Sequence, residues 1–413
     1  MGLNDTPSGE RIHIGFFGLM NAGKSSLINA VTDQDLSLVS EIPGTTTDPV
    51  RKSMEILPLG PVTLIDTAGL DDAGALGEMR VRRARKILNE VDIAVLVTEA
   101  GRELKPAEQE MIALFREKGL PYLVVRNKAD LLPDGAAAGG TDADPAAAGT
   151  AADPRELFVS ALTGLHIHEL KVKLGEFARE AEQKPRTIVT DLLSPGDVVI
   201  LVVPIDESAP KGRLILPQQQ VMRELLDAHF MFVTCQPEEV PQAISLCGDK
   251  VSLVITDSQQ FETVKELVPE EIRLTSFSIL FARYKGSLGM LLQGASVLAD
   301  LHDGDPVLIS EGCTHHRQCN DIGTVKLPGW IRKYSGADPE FHFTSGRDFP
   351  EDPSAYRLVV HCGGCMLGEK EMKSRIASAR KAGVPVVNYG IAIAQMNGIL
   401  ARSLEPFREQ FPK

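Results

Sequence analysis

The apolar positions of this chain gather into short continuous runs, separated by stretches with helical spacing. Ile12-His-Ile-Gly-Phe-Phe17, Val62–Ile65 and Pro121–Arg126 are runs of strand length. So are Val198–Val203, Phe230–Thr234, Val251–Ile255 and Ile272–Thr275. Val307–Ser310, Phe341–Thr344, Arg357–His361 and Val384–Asn388 repeat the pattern further along. Runs that are continuous rather than alternating predict strands covered on both faces, the setting of a parallel sheet. Between them, residues 217–227, 257–267, 289–301, 369–382 and 391–404 carry the helical period. Strand and helix in alternation predict α/β domains with largely parallel sheets.

Breaks in the pattern divide the chain into blocks 10–183, 188–285 and 286–413, with EQKPRT (182–187) as the first linker. Residues 135–154 hold no large apolar group, a composition that predicts a disordered loop inside the first block. The chain has 413 residues, of which 43% are hydrophobic, enough for two or three ordinary cores. No apolar run approaches the roughly 18 residues of a membrane span, and the N-terminus lacks an export signal. A cytoplasmic chain without a membrane partner is therefore expected. The net charge of −13 argues against nucleic acid as a main partner. Six cysteines, at 235, 247, 313, 319, 362 and 365, are too few for a disulfide scaffold and suit a metal or cluster binder.

Gly18-Leu-Met-Asn-Ala-Gly23-Lys24-Ser25 fits G-x-x-x-x-G-K-[ST] and lies between a strand and a helix. The glycines let backbone N–H groups wrap phosphates, and the helix that follows offers its positive end. Lys24 is expected at the β- and γ-phosphates, and the Ser25 hydroxyl on Mg²⁺. Asn127-Lys-Ala-Asp130 follows a strand, and the Asp130 carboxylate matches the ring N–H and exocyclic amine of guanine. Adenine would leave that carboxylate unpaired. Ser160-Ala161-Leu162 falls where a loop would back the guanine. Asp66-Thr-Ala-Gly69 supplies a carboxylate for Mg²⁺ through water and a glycine for the γ-phosphate, and Thr46 of Gly44-Thr-Thr-Thr-Asp48 is a further Mg²⁺ candidate. The candidate nucleotide-binding set is thus Asn21, Ala22, Gly23, Lys24, Ser25, Ser26, Thr46, Asp66, Gly69, Asn127, Lys128, Asp130, Ser160 and Ala161, with Lys24, Thr46 and Gly69 as catalytic candidates. GTP is the nucleotide these motifs select, and the fold class is a P-loop GTPase domain followed by two smaller α/β domains.

Together the motifs resemble the GTPases that include the bacterial tRNA-modification and ribosome-assembly enzymes. Leu70 stands where Ras-like proteins carry a water-orienting glutamine. Asn21 stands where potassium-dependent relatives hold K⁺, and such a cation would supply the charge that an arginine finger supplies elsewhere. The plainer reading of Asn21 is a turn residue.

Cys313-Thr-His315 follows one predicted strand, and His361-Cys362-Gly-Gly-Cys365 ends another. Both groups would leave the carboxyl ends of strands in one sheet, where open α/β sheets bind ligands. Three cysteines and a histidine suit zinc as well as an iron–sulfur cluster. C-x-H, a long gap and then H-C-x-x-C, downstream of this kind of GTPase domain, resembles the FeFe-hydrogenase maturation GTPases, the HydF family. Val203-Pro-Ile-Asp-Glu-Ser-Ala-Pro-Lys-Gly212 is similar to that family's middle domain. The resemblance implies a 4Fe-4S cluster on Cys313, Cys362 and Cys365 with an exchangeable fourth position, and a homodimer formed by the middle block. It also implies a carrier role, in which radical-SAM maturases build a two-iron precursor that passes to apo FeFe-hydrogenase.

His315, His361, His316 or Glu311 could fill the fourth position, or His315 and His361 could instead donate hydrogen bonds to the groups that bind the metal. Cys319 is a spare thiol, and Cys235 and Cys247 read as packing residues. Two other function classes stay open. An RNA- or ribosome-acting GTPase with a zinc domain would want a basic, aromatic-bearing accessory region, whereas this chain is acidic with one Trp and five Tyr. A redox enzyme would want a flavin or nicotinamide fingerprint, which does not appear.

Overall fold

The computed structural model describes residues 8–32, 49–57, 59–67, 69, 84–132, 153–182, 187–205, 214–285, 288–312, 321–346 and 348–410. The chain forms two compact units, Met1–Pro185 and Arg186–Lys413. The proposed loop at 135–154 lies almost wholly outside the described residues.

The first unit is built on β1 (Ile12–Phe17), β2 (Val50–Ile56), β3 (Gly60–Asp66), β4 (Ile93–Glu99), β5 (Tyr122–Asn127) and β6 (Glu156–Phe158), in the order β2-β3-β1-β4-β5-β6. Every pairing is parallel except β2 with β3. The antiparallel edge strand β2 was not among the expected strands, because its sequence VRKSMEI is mostly polar and partly exposed. The buried strands show why continuous apolar runs are needed. Ile14 and Phe16 of β1 join one core, with Ile93, Val95 and Val97 of β4. Phe17, Ala94 and Leu96 point into a second core on the opposite face.

The second unit holds two four-stranded parallel sheets. One has the order β10-β9-β7-β8, from β7 (Val198–Val202), β8 (Met231–Cys235), β9 (Val251–Thr256) and β10 (Arg273–Ser276). The other has the order β12-β11-β13-β14, from β11 (Pro306–Ser310), β12 (Glu340–Thr344), β13 (Leu358–His361) and β14 (Val386–Asn388). One continuous apolar cluster serves both sheets, running from Val199 and Leu253 through Leu280 and Phe281 to Leu308, Val360 and Ile393. The chain is thus α/β with largely parallel sheets, as its pattern predicts. A single helix over 391–404 is not what forms. Tyr389–Met396 ends at a turn where Gly398 takes a φ of +68°, and Leu400–Ser403 follows as a separate short helix. No helix among the described residues is long and apolar enough to cross a membrane.

Candidate functional site

The phosphate loop leaves the carboxyl end of β1 and enters the helix Lys24–Thr32. Its glycines are fixed by close approach. A Cβ on Gly18 would sit 2.2 Å from the Val97 carbonyl oxygen, and one on Gly23, where φ is +88°, would sit 2.3 Å from the Asn127 amide. Asn21 takes a φ of +63°, a conformation that asparagine tolerates well, so the local backbone alone accounts for its residue type. Lys24 is buried, and its Nζ donates to the Gly18 oxygen at 3.1 Å and the Leu19 oxygen at 2.8 Å, which holds the ammonium within the loop. Ala22 is buried, while Ser25 and Ser26 are exposed on the first turn of the helix.

Asp66 ends β3 opposite this turn. The Ser25 hydroxyl donates to Asp66 Oδ2 at 2.7 Å. Burial raises the Asp66 carboxyl above its ordinary range, and the Ser25 hydrogen bond and the Lys24 charge pull against that rise. Asp66 Oδ1 is buried without a hydrogen-bond partner among the described residues. A buried carboxylate oxygen left unsatisfied beside a serine hydroxyl fits a divalent cation. Gly69 lies so close to the phosphate loop that a Cβ there would be 2.8 Å from the Met20 nitrogen.

Two further loops meet the first. Asn127 Nδ2 donates to the Ala22 oxygen at 3.1 Å, and its Oδ1 accepts the Ala161 N–H at 3.1 Å. One buried side chain thus ties the phosphate loop to the Ser160 loop. Lys128 takes the left-handed conformation and pairs with Glu99 at 3.0 Å. The Ser160 hydroxyl donates to Asp130 Oδ1 at 2.5 Å and accepts the Thr163 N–H at 3.1 Å, which orients the Asp130 carboxylate. The structure therefore brings together the Gly18–Ser25 loop, Asp66, Gly69, Asn127, Asp130, Ser160 and Ala161. Thr46 and Leu70 lie outside the described residues.

In the second unit, β11 and β13 are neighbours, and Ser310 pairs with His361 at their carboxyl ends. The backbone N–H of Cys362 donates to the Ser310 oxygen at 2.9 Å. Cys362 Sγ accepts N–H groups from Gly312 at 2.9 Å and Gly364 at 3.3 Å. Burial pushes the Cys362 thiol up to about 11, and neighbouring Cys365 adds to the rise, whereas these two N–H donors oppose it. Burial raises Cys365 as well, against the lowering charge of Lys285. Backbone N–H donors aimed at a buried sulfur favour its thiolate form, which is the form that binds a metal. Cys313, His315, His316 and Cys319 lie outside the described residues, and no group of three potential metal-binding side chains occurs among the described ones.

His361 is buried, and burial, with the adjacent Arg375 charge, drops its imidazole to about 3. Its Nε2 faces the Arg375 guanidinium at 3.1 Å, and its Nδ1 lies 2.8 Å from the Cys362 oxygen. Arginine only donates, so Nε2 accepts and Nδ1 carries the proton given to the carbonyl. Both ring nitrogens are thereby committed, and His361 here steadies the Cys362 backbone instead of offering a ligand atom. Arg375 is itself held by Glu371 and by the Gly346 oxygen at 2.7 Å. Glu311 follows β11, with Tyr389 Oη 3.5 Å from its carboxylate.

The sequence motifs gave no sign of Lys285, Arg375 or Glu371. The Glu371–Arg375 pair has helical i, i+4 spacing, the one signal that could have marked it. Cys235 is a buried packing residue, as expected, and burial raises its thiol to about 11. Cys247 is half-buried at the edge of the same core.

The chain resembles known proteins in all three of its blocks. Residues 13–128 match the 50S ribosome-binding GTPase family. Residues 188–286 match the Hydrogen maturase F dimerization domain, and residues 289–406 its tetramerization domain. The chain is 35% identical over 169 residues to the tRNA modification GTPase MnmE of Nitrosospira multiformis, covering 40% of this chain and 35% of that protein. It is 38% identical over 128 residues to GTPase Der of Kosmotoga olearia, covering 30% and 29%. It thus spans about a third of the length of these curated relatives. A solved structure of an Aquifex aeolicus Era variant bound to GDP and aluminium fluoride aligns over 40% of this chain and 56% of that one, at 23% identity and a TM-score of 0.33. A GTPase domain followed by both association domains of one maturase places this chain in the hydrogen maturase F family of GTPases.

Proposed function

We propose that this chain binds and hydrolyses GTP with Mg²⁺, assisted by K⁺, and carries a 4Fe-4S cluster on Cys313, Cys362 and Cys365. In this reading it is a cytoplasmic homodimer with no nucleic-acid or membrane partner. It receives a two-iron precursor from radical-SAM maturases and delivers it to apo FeFe-hydrogenase. The observation that carries the cluster assignment is the pair of N–H groups on the Cys362 sulfur. One of them belongs to Gly312, the residue before Cys313 in sequence, and Cys365 completes chelating C-x-x-C spacing.

In the first unit, Lys24 would meet the β- and γ-phosphates, and the Ser25 hydroxyl and orphaned Asp66 oxygen would hold Mg²⁺. Asp130, fixed by Ser160, would receive the guanine N–H groups. Thr46 would complete the Mg²⁺ shell, and Asn21 would face K⁺. In the second unit, the cluster would supply an iron site without a thiolate, able to exchange a bridging ligand. With His361 engaged by Arg375, that fourth position falls to His315, His316 or Glu311.

Iron, sulfide and zinc per protomer after anaerobic purification, an EPR spectrum of the reduced protein, and activation of apo-hydrogenase together test the reading. Cys313→Ser, Cys362→Ser and Cys365→Ser should each deplete iron and end activation while GTP hydrolysis continues. Full iron and activation in all three variants would refute it. One zinc per protomer and no sulfide in the wild type would shift the assignment to an RNA-acting GTPase.

A further inference from the structure

The carbonyls on either side of Cys365 are held by a lysine that caps a helix leaving the other sheet of the same unit. The helix Phe277–Tyr284 packs beside the first sheet of the second unit and is capped by Lys285, whose N–H donates to the Phe281 oxygen at 2.9 Å. The Lys285 side chain is buried, and its Nζ donates to the Gly364 oxygen and, at 2.7 Å, to the Leu367 oxygen. The Gly364 oxygen also accepts the Leu367 N–H at 3.0 Å, so the ammonium closes over a turn that has Cys365 inside it. The turn has little slack. Gly364 takes a φ of +60°, a Cβ there would lie 2.5 Å from Met372 Sδ, and a Cβ on Gly312 would lie 2.8 Å from the Leu367 side chain.

We propose that Lys285 is a positioning residue for the candidate cluster site. It holds the Cys362–Cys365 loop in its binding shape before any ligand arrives and supplies a fixed positive charge beside the anionic group that the thiolates carry. This rests on the cluster reading above, but its first half concerns the empty-handed protein alone. A buried ammonium is costly unless polar groups surround it, and the two loop carbonyls are such groups. Opening the loop would strip them away, so the charge and the closed loop stabilise each other. The same charge would make an added electron on the cluster less unfavourable, since net charge and nearby donors set the potential of such centres. Lys285 is the last residue but one of the dimerization-domain match, and the loop belongs to the tetramerization-domain match, so the contact joins the two.

The test uses the full chain as Lys285→Met, which keeps length without charge or donors, and Lys285→Arg, which keeps both. In the iron-free protein, maleimide labelling of Cys362 and Cys365, located by mass spectrometry of peptides, reads how often the loop opens. Labelling should accelerate about tenfold or more in Lys285→Met, since two charge-assisted hydrogen bonds that oppose local opening are lost and one alone is worth about that factor. Lys285→Arg should stay near wild type. After anaerobic reconstitution, the midpoint potential of Lys285→Met should move negative, and that of Lys285→Arg should not. GTP hydrolysis should be unchanged in both. If Lys285→Met does not fold, Lys285→Gln, which keeps a donor and drops the charge, takes its place with the same expected shift in potential. Wild-type labelling and wild-type potential in the uncharged variant would overturn the proposal. A wild-type protein that takes up neither iron nor sulfide would sink the cluster reading, and labelling of the iron-free protein would still decide the loop-holding role.

Discussion

Gly23→Ala would place a methyl group where the Asn127 amide already stands, 2.3 Å from its nitrogen, on backbone with a φ of +88°. Forcing a side chain into that left-handed conformation costs about 1–2 kcal/mol. Displacing Asn127 breaks its bonds to the Ala22 oxygen and the Ala161 N–H, worth about 1 kcal/mol each. The backbone strain is present with or without nucleotide and should appear as lost stability. The broken bonds separate the phosphate loop from the guanine-side loop and should also appear as lost affinity. About 2 kcal/mol corresponds to roughly a 30-fold rise in the Kd for GTP. The full cost of about 3–4 kcal/mol should lower the Tm of the first unit by about 6–16 °C. Fluorescent-nucleotide titration and a thermal melt measure the two parts. Gly60→Ala is the matched control, since Gly60 has a φ of +81° but nothing within 4 Å of an added Cβ. It should lower the Tm by about 2–8 °C and leave the Kd alone. A Gly23→Ala protein that binds GTP within threefold of wild type, or no more weakly than Gly60→Ala, would refute the reasoning.

Asp130→Asn should weaken GTP at least about 100-fold by removing the guanine-reading carboxylate, with competition by ATP as the check. Asp66→Asn should leave the nucleotide-free unit as stable as wild type or up to about 2 kcal/mol more so, because it neutralises a buried oxygen without a partner, yet Mg²⁺-dependent hydrolysis should be lost. Hydrolysis should run faster in K⁺ than in Na⁺, and Asn21→Ala should erase the difference; equal wild-type rates in the two salts would remove the cation argument. Arg375→Met should free the His361 imidazole, raise its titration toward the ordinary range and loosen the Cys362 backbone, which NMR of the histidine ring can follow.

The phosphate loop was legible because its chemistry is contiguous: glycines, lysine and serine must stand at fixed spacing for one backbone turn to wrap phosphates. The cysteine pair was legible for the same reason. The strand β4 was not among the expected strands, although it follows the same rule of continuous apolar residues as β1, with Ile93 to Val97 buried on both faces. What stayed hidden is non-local. Lys285 lies 79 residues from Gly364, and an isolated lysine after an apolar helix carries no sign that it will be buried. The engagement of His361 depends on Arg375, which sits on a following helix among other charged residues and looks like part of a solvated face. β2 was missed because an edge strand with one open side does not need the apolar run that marks a central one.

The family boundary near residues 286–289 crosses ground that is continuous in three dimensions. Gly390 stands against Ser278 so closely that a Cβ would lie 2.4 Å from the serine's own, and Asn388 Nδ2 donates to the Ser278 oxygen at 2.9 Å. Further along, Arg402 binds the Lys265, Val268 and Pro269 carbonyls from across that boundary. Two stretches that read as separate modules should therefore melt together, in one transition of the unit Arg186–Lys413. Exchanging either one between relatives should require carrying its half of the seam, Ser278 with Gly390 and Arg402 with the Lys265, Val268 and Pro269 carbonyls.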